Sequence, residues 1–230
     1  MKTIGLIGGM TWVSTLEYYR IINETVKEKL GGLHSAKCLL YSFDFDIIGK
    51  YQMRNQWEKL TELMISASQN LERSGADFIV ICANTMHKNF EEVERNVNIP
   101  VLNIIDVTAE EIMRKGIKKV GLLGTRFTME EDFFKKRLNE KYDIEVTIPD
   151  KKDRDIVNDV IYKELSRGYI TPSSKRKYLK IIGSLIDRKA EGIILGCTEI
   201  PLLIKQENVK IPVFDTTLIH AKAAVEYALK

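Results

Sequence analysis

Apolar residues along the chain fall into two alternating patterns. Short apolar runs bounded by glycine or polar residues indicate buried strands, and longer segments with a helical period of apolar positions follow them. This alternation predicts an α/β protein in which helices cover a mostly parallel sheet. Strands are predicted near residues 3–7, 37–43, 77–82, 101–104, 118–123, 144–147, 192–196 and 212–214. Helices are predicted near residues 14–30, 56–74, 86–94, 106–115, 128–139, 151–167, 174–188 and 216–229.

Residues 44–56 lack a clear period. They follow a strand and mix Gly49, Gln52 and Arg54 with aromatic side chains. A segment of this kind is compatible with a lid over a binding site or with an ordinary surface loop, and the sequence leaves both open.

The second half of the chain repeats the first. Three pairs of segments match in order: 3–23 with 119–139, 75–85 with 189–199, and 98–100 with 210–212. The glycines, alanines and prolines that anchor these matches lie 116, 114 and 112 positions apart, so the spacing is kept as well. A period this long is not that of a solenoid. The repeat predicts two related halves, the first formed by 1–98 plus 213–230 and the second by 99–212.

Charge, apolar runs and cysteine spacing argue against several classes of function. The chain has 35 Lys and Arg against 32 Asp and Glu, a formal charge of +3, with the two signs interleaved. Without a basic stripe, we expect no nucleic-acid partner. No apolar run approaches the roughly 20 residues of a membrane span and no signal-peptide pattern is evident, so we expect a cytoplasmic protein without a membrane partner. Cys38, Cys82 and Cys197 show no metal-ligand spacing and are expected to be reduced thiols, with no metal site.

The repeat also indicates a site. It aligns Ala83-Asn84-Thr85 with Cys197-Thr198-Glu199, each just after a buried strand. Open α/β sheets bind ligands at the carboxyl ends of their strands. Amide N–H groups and a helix N-terminus can turn a thiol at such a turn into a thiolate, which is a base or nucleophile. We therefore favour a functional role for Cys197 over that of a small buried apolar residue.

Two glycine turns are candidate anion sites. Gly8-Gly9-Met10 and the segment from Gly124 to Thr128 each lead from a strand into a helix, where backbone N–H groups can bind a carboxylate. The alternative is that these glycines serve the turn alone. Neither segment is a nucleotide-binding fingerprint.

These motifs together carry a family resemblance. The segments IGLIGGM at 4–10, ANTMH at 83–87, LLGT at 122–125 with Thr128, GCTE at 196–199 and IPVFD at 211–215 resemble the aspartate/glutamate racemase family over essentially the whole chain. The resemblance implies two pseudo-twofold-related flavodoxin-like half-domains with mostly parallel sheets and the active site between them. It also implies no pyridoxal phosphate or metal, a homodimer, and two thiols that act on opposite faces of the substrate's α-carbon.

One position departs from that pattern. Where the family has its first thiol, this chain has Ala83. Cys82 precedes it, and because side chains alternate along a strand we expect Cys82 to point into the core. Some branches of the family resemble this chain further, with a residue other than cysteine before NTMHK and with DTT..IHA, here 215–221. The missing thiol puts a symmetric two-thiol mechanism in doubt.

The preferred function is cofactor-independent racemisation of an acidic amino acid, aspartate ahead of glutamate, with Cys197 as acid and base. The second proton is expected to travel through Thr85, bound water or another side chain. The alternatives are a one-thiol decarboxylase or isomerase of small dicarboxylates, or a catalytically degenerate amino-acid-binding protein. His87 and His220 are weaker candidates, and a basic residue of the family is matched by Arg167. The candidate substrate-binding residues are Gly8, Gly9, Met10, Gln52, Ala83, Asn84, Thr85, Thr125, Thr128, Arg167, Thr198 and Glu199.

Overall fold

A computed structural model describes all 230 residues. Its eight strands form two four-stranded sheets, and every strand pair is parallel. The first sheet has the order β2-β1-β3-β4, with β1 Ile4–Gly8, β2 Cys38–Ser42, β3 Phe78–Ile81 and β4 Val101–Leu102. The second has the order β6-β5-β7-β8, with β5 Lys119–Gly124, β6 Glu145–Thr147, β7 Gly192–Gly196 and β8 Val213–Asp215. The predicted α/β fold class is confirmed.

Ten α-helices connect the strands. They are α1 Trp12–Leu30, α2 Phe45–Met53, α3 Trp57–Arg73, α4 Phe90–Arg95, α5 Ile104–Arg114, α6 Arg126–Glu130, α7 Asp132–Tyr142, α8 Lys151–Lys163, α9 Pro172–Asp187 and α10 Thr216–Leu229. Short 3-10 turns cover Thr85–Asn89, Leu165–Arg167, Ile200–Leu202 and Gln206–Asn208. Each predicted strand is present, and each predicted helix corresponds to a helix, three of them shortened or split by a turn.

The register of the two sheets reproduces the sequence repeat. Ile7 pairs with Ile81 in the first sheet, and Leu123 pairs with Leu195 at the equivalent place in the second. The inner strands β1 and β5 each carry a glycine, Gly5 and Gly121, on which an added Cβ would lie 2.9 Å from a neighbouring side-chain atom. Glycine is therefore needed at both places for close packing on the sheet.

The chain divides into two compact units, Met1–Ile104 with His220–Lys230, and Ile105–Ile219. The sequence repeat set the boundaries at 98/99 and 212/213, which would separate β4 from β3 and β8 from β7. Hydrogen bonding decides otherwise, because β4 pairs with β3 and β8 pairs with β7. Each boundary therefore falls after the edge strand, several residues later than the repeat indicates.

Helix α2 occupies the segment that the sequence left without a period. Asp44 caps it by accepting a hydrogen bond from the amide of Asp46 at 3.0 Å. Ile48 and Gln52, one turn apart, form its buried face, while Met53 is largely exposed. A buried face of two residues, one of them polar, is too short to give a recognisable helical period.

Apolar side chains fill both faces of the first sheet. Ile7, Ile79 and Ile81 lie in one cluster of buried residues, and Leu6 and Val80 lie in another. In the second unit a cluster centred on Leu123, Ile193 and Leu195 covers one face of the second sheet. No helix is both long enough and apolar enough to cross a bilayer.

Candidate active site

Cys197 lies at the carboxyl end of the second sheet. It follows Gly196, the last residue of β7, and Gly196 pairs with Gly124 at the end of β5. The connections from these two adjacent strands lead to opposite edges of the sheet, and at such a switch point an α/β sheet opens a crevice. The sequence placed Cys197 at this kind of strand end.

The Cys197 thiol has a carboxylate partner. Its Sγ donates a hydrogen bond to Oε2 of Glu199 at 3.0 Å, and the Thr198 hydroxyl donates to the same oxygen at 2.7 Å. Both ends of the thiol–carboxylate pair are buried, with Cys197 7% exposed and Glu199 5% exposed. The backbone amides of Thr198 and Glu199 lie close enough to the sulfur to act on the pKa of the thiol. The carboxylate of Glu199 is the hydrogen-bond partner of the sulfur.

The groups around Cys197 oppose ionisation of its thiol, whereas the sequence analysis expected the nearby amides to favour it. Burial raises the pKa of Cys197 well above its usual value, and the negative charge and hydrogen bond of Glu199 raise it further. The backbone amides of Thr198 and Glu199 act to lower this pKa and are outweighed. Cys197 therefore rests as a protonated thiol, and Glu199 is a charge partner that the sequence analysis left out.

Thr125 and Thr128 border the same strand ends. Thr125 is the N-cap of α6, and its Oγ1 accepts from the amide of Thr128 at 3.4 Å and lies 3.2 Å from the Thr128 hydroxyl. An added Cβ on Gly124 would lie 3.0 Å from the Thr128 Cβ, and one on Gly196 would lie 3.2 Å from its Cγ2. The structure brings Thr128 against the turn that precedes Cys197.

Two tyrosines face the thiol from neighbouring helices. Burial raises the pKa of Tyr162 on α8 to about 12, with added contributions from Cys197 and Glu199. Tyr178 on α9 belongs to the same buried cluster as Cys197, and its hydroxyl donates to the carbonyl of Val157 at 3.0 Å. Arg167, in contrast, lies exposed in the turn after α8. The sequence analysis missed both tyrosines, because only packing brings their helices to β7.

In the first unit, Ala83 and Cys82 lie on opposite faces of the sheet. Ala83 belongs to the buried cluster that contains Met10 and Met86, whereas Cys82 is fully buried in the cluster of Leu6 and Val80. Burial raises the pKa of the Cys82 thiol far above its usual value. The alternation expected from the strand is thus present, and Cys82 packs in the core.

The Gly8-Gly9-Met10 turn is shaped by close backbone packing. Gly9 has a φ of +83°, and an added Cβ would overlap the backbone of Phe43. Its amide donates to Oγ1 of Thr15 at 2.7 Å. A side chain of α1 thus accepts the hydrogen bond of the Gly9 amide, and anion binding by this turn stays a prediction.

Polar residues after β3 are buried. Asn84 and Thr85 start the 3-10 turn at the carboxyl end of β3, both less than one-tenth exposed. Gln52 reaches this turn from α2, where its Nε2 lies 3.6 Å from the Met86 sulfur. The structure thus brings α2 against the segment that the sequence predicted to bind substrate.

His87 and His220 form hydrogen bonds with the backbone near the edge of the first sheet. The Ile104 amide donates to Nε2 of His87 at 3.1 Å, so Nδ1 carries the proton and donates to the carbonyl of Ala83 at 2.9 Å. His220 bonds the carbonyl of Leu102 through Nε2 at 3.0 Å. Both rings thus form hydrogen bonds with backbone groups. This favours a structural role for the two histidines over the chemical role considered from sequence.

Comparison with known proteins identifies the family. A family model described as Asp/Glu/Hydantoin racemase matches residues 7–224. The chain belongs to the Asp/Glu/Hydantoin racemase family. The prediction of an amino-acid racemase of this kind is confirmed at that level.

Several racemases and racemase-like structures are similar to it. The broad specificity amino-acid racemase RacX of Bacillus subtilis (strain 168) is 26% identical over 168 residues, covering 73% of this chain and 72% of that protein. A crystal structure described as a candidate Asp/Glu racemase from Yersinia pestis has 50% identity, a TM-score of 0.94 and full coverage of both chains. The structure of an aspartate racemase homologue from Pyrococcus horikoshii OT3 has 40% identity, a TM-score of 0.88 and full coverage of both.

Within this racemase fold, one relationship at the site was not predicted. Glu199 was expected to contact substrate, yet its Oε2 accepts hydrogen bonds from both Cys197 and Thr198. In the sequence, only the spacing of two residues between Cys197 and Glu199 points to this contact. The spacing brings the two side chains together only because the chain turns tightly after β7. No cluster of three or more His, Cys, Asp or Glu side chains is arranged to hold a metal ion.

Proposed function

We propose that this protein racemises an acidic amino acid, aspartate first and glutamate second, by removing and returning the α-proton at Cys197. The observation that carries the proposal is the buried thiol at the end of β7, which has a buried carboxylate as its hydrogen-bond acceptor. Relatives named as racemases of glutamate and aspartate support the substrate class.

An amino acid's α-carbon is a weak acid, so the site must stabilise a carbanion-like transition state. We assign the substrate's carboxylates to hydroxyl and cationic groups near the strand ends. Thr198 and Thr128 lie at the turn of Cys197, and Arg167 supplies an exposed guanidinium in the same unit. An arginine is suited to this role because its planar fork can bind a carboxylate with two hydrogen bonds.

For the second face of the α-carbon we propose a proton route through Thr85. This residue lies two positions after Ala83, where the family has its first thiol, and it begins a buried turn. A hydroxyl is a far weaker acid and base than a thiol, so it serves as a relay to water and not as a store for the proton. We therefore expect inversion to be slow compared with exchange of the α-proton.

A second candidate is a one-thiol decarboxylase or isomerase of small dicarboxylates. The observation that favours it is the apolar environment of Ala83, which packs in one cluster with Met10 and Met86. Decarboxylation needs only one proton donor, because carbon dioxide leaves and Cys197 then protonates the carbanion.

The test is incubation with each enantiomer of aspartate and glutamate in deuterated water, followed by chiral chromatography and mass spectrometry. Racemisation gives the opposite enantiomer with deuterium at the α-carbon, whereas decarboxylation releases carbon dioxide. Cys197→Ser should lose at least about 100-fold of the exchange rate, because proton transfer by a positioned side chain contributes about that much or more.

Cys82→Ser is the matched control, since it makes the same atomic change in the other buried thiol of a strand end. It should retain exchange. Folded protein without exchange into any of the four amino acids would refute the proposed substrate class.

The homodimer expected from the family also stays a proposal. Trp12, Leu16 and Tyr19 lie on one face of α1, and each is more than half exposed. Leu16→Glu should shift the sedimentation coefficient to that of a monomer if this face is the interface.

A further inference from the structure

The Cys197–Glu199 pair suggests a role that goes beyond the assignment of Cys197 as the acid and base. Cys197 rests as a thiol, yet removal of an α-proton requires a thiolate. The thiol must therefore give up its proton before it can accept another. In a buried turn the nearest acceptor is the Glu199 carboxylate, 3.0 Å from the sulfur.

We infer that Glu199 is the internal proton acceptor of Cys197, so that the two side chains work as one acid–base pair sharing a single resting proton. The catalytic consequence of this inference rests on the proposed function. The sharing of a proton between the two side chains rests only on the geometry of the turn, in which the thiol and the carboxylate are hydrogen-bonded.

The proton transfers balance as follows. The S–H bond of Cys197 breaks, its proton moves to Glu199, and the electron pair stays on sulfur. The α-carbon–hydrogen bond of the substrate then breaks, its proton forms a new S–H bond, and the electron pair stays on carbon. The pair now holds two protons and is neutral, and the substrate has gained the negative charge. Protonation of the carbon by Cys197 reverses these steps.

The surroundings of the sulfur suit both states. The backbone amides of Thr198 and Glu199 favour the thiolate by lowering the pKa of the thiol, whereas Glu199 favours the thiol by accepting its hydrogen bond. The Thr198 hydroxyl donates to Oε2 at 2.7 Å and holds the carboxylate in place. A fixed turn with donors for one form and an acceptor for the other reduces the reorganisation that accompanies proton transfer.

Two phenols face the pair and do not exchange protons in the neutral range. They are Tyr162 from α8 and Tyr178 from α9, with Glu164 near Tyr178. Burial raises the pKa of both phenols, to about 12 for Tyr162, so both stay protonated. Glu199 is thus the one carboxylate in hydrogen-bond contact with the thiol.

Two measurements on the full-length protein test this inference. The first is the rate of alkylation of Cys197 by iodoacetamide from about pH 7 to 11, read by mass spectrometry of the peptide that contains it. Removing the carboxylate charge in Glu199→Gln should lower the pH midpoint of alkylation by at least about one unit, which is about tenfold in thiolate at neutral pH. Glu199→Asp should lie between the two.

Thr198→Val is the matched control for this arm. It removes a hydrogen bond to the same carboxylate oxygen but leaves the charge and both amides in place, so the midpoint should not fall. An unchanged midpoint in Glu199→Gln, with circular dichroism showing a folded protein, would overturn the inference whether or not the protein racemises anything.

The second measurement is the pH profile of α-proton exchange. In the wild type the pair carries its one proton throughout the neutral range, so exchange should be nearly flat with pH. In Glu199→Gln the thiol can lose its proton only to water, so exchange should rise about tenfold per pH unit below the new alkylation midpoint. Profiles of the same shape in both proteins would exclude Glu199 as the acceptor.

The two arms separate two kinds of failure. A shifted alkylation midpoint together with no exchange in the wild type would refute the proposed function and keep the proton-sharing pair. Exchange in the wild type together with an unshifted midpoint would keep the proposed function and refute the pair.

Discussion

Cys82 and Ala83 are consecutive in sequence, yet their side chains lie in different apolar clusters on opposite faces of the first sheet. The register of the two sheets makes Ala83 the equivalent of Cys197, while Cys82 is the equivalent of Gly196. The thiol of the first half therefore lies one residue earlier than the position equivalent to Cys197. Because side chains alternate between the two faces of a sheet, this shift of one residue places the thiol on the opposite face.

Ala83→Cys should strengthen inversion relative to exchange. The new thiol would occupy the position equivalent to Cys197 and supply an acid for the second face of the α-carbon. We expect the ratio of inverted product to exchanged substrate to rise at least about tenfold, within the range of one general acid or base. Chiral chromatography of aspartate recovered from deuterated water gives this ratio. A folded variant with an unchanged ratio would show that position 83 does not face the substrate.

Cys82→Ser should lower stability without changing exchange. Cys82 is fully buried, with its Sγ 3.8 Å from the carbonyl of Val80. A hydroxyl there is more costly to bury than a thiol, so we expect a loss of about 0.5–3 kcal/mol in the free energy of unfolding. Urea unfolding measures this loss. Loss of exchange in a variant that remains folded would move the chemistry to Cys82.

Gly9→Ala should be strongly destabilising. Gly9 has a φ of +83°, and the added methyl group would overlap the backbone of Phe43, which cannot move as a side chain can. We expect a loss of more than about 2 kcal/mol in unfolding free energy. Gly31→Ala is the matched control, because Gly31 also has a positive φ but an added Cβ there would meet nothing within 4 Å. Similar losses in both would mean that backbone strain, and not the overlap, dominates.

His220 should make stability fall as the pH falls. Burial, with the neighbouring His87, lowers the pKa of His220 from 6.5 to about 3. Below the unfolded pKa, the unfolded chain takes up a proton that the folded protein does not. The free energy of unfolding should therefore decline by up to about 1.4 kcal/mol per pH unit from about pH 6.5 towards 3 because of this residue.

His220→Gln isolates that contribution, since glutamine does not titrate. Its unfolding free energy should be lower at about pH 7, where the bonds of His220 to Tyr18 and Leu102 are lost or weakened, but should decline less on acidification. Urea unfolding of both proteins at several pH values gives the two slopes. Equal slopes would contradict burial of a neutral imidazole.

Asp106→Asn should weaken the second unit. Asp106 accepts from Arg137 at 2.5 and 2.7 Å and from Lys141 at 2.8 Å. Burial raises the pKa of Asp106, but its bonds to these two cations outweigh burial and lower it overall. We expect a loss of about 1–2 kcal/mol in unfolding free energy at neutral pH, measured in urea. The loss should disappear as the pH falls through the folded pKa, because the wild-type carboxylate is then protonated as well.

Lys118→Met gives the comparison for that variant. It removes an ion pair with Asp143, in which the two side chains are 68% and 90% exposed, and should cost no more than about 0.5 kcal/mol. A larger loss there than in Asp106→Asn would show that burial does not decide the strength of these pairs.

The sequence alone determined the order of strands and helices, the internal repeat and the strand end that carries Cys197. These features depend on periodicity, glycine turns and spacing, which are local or repeat along the chain. Helix α2 was not predicted, because its buried face consists of Ile48 and Gln52 and becomes apparent only when it packs.

Only the tertiary structure decided the state of the thiol and the roles of the histidines. The sequence places Glu199 two residues after Cys197, but the bend of the chain after β7 decides that its carboxylate accepts a hydrogen bond from the thiol. His220 reaches Tyr18 and Leu102 across 202 and 118 positions of sequence. Contacts over such separations, and the burial that shifts a pKa, are properties of the folded chain, because both depend on which groups packing removes from water.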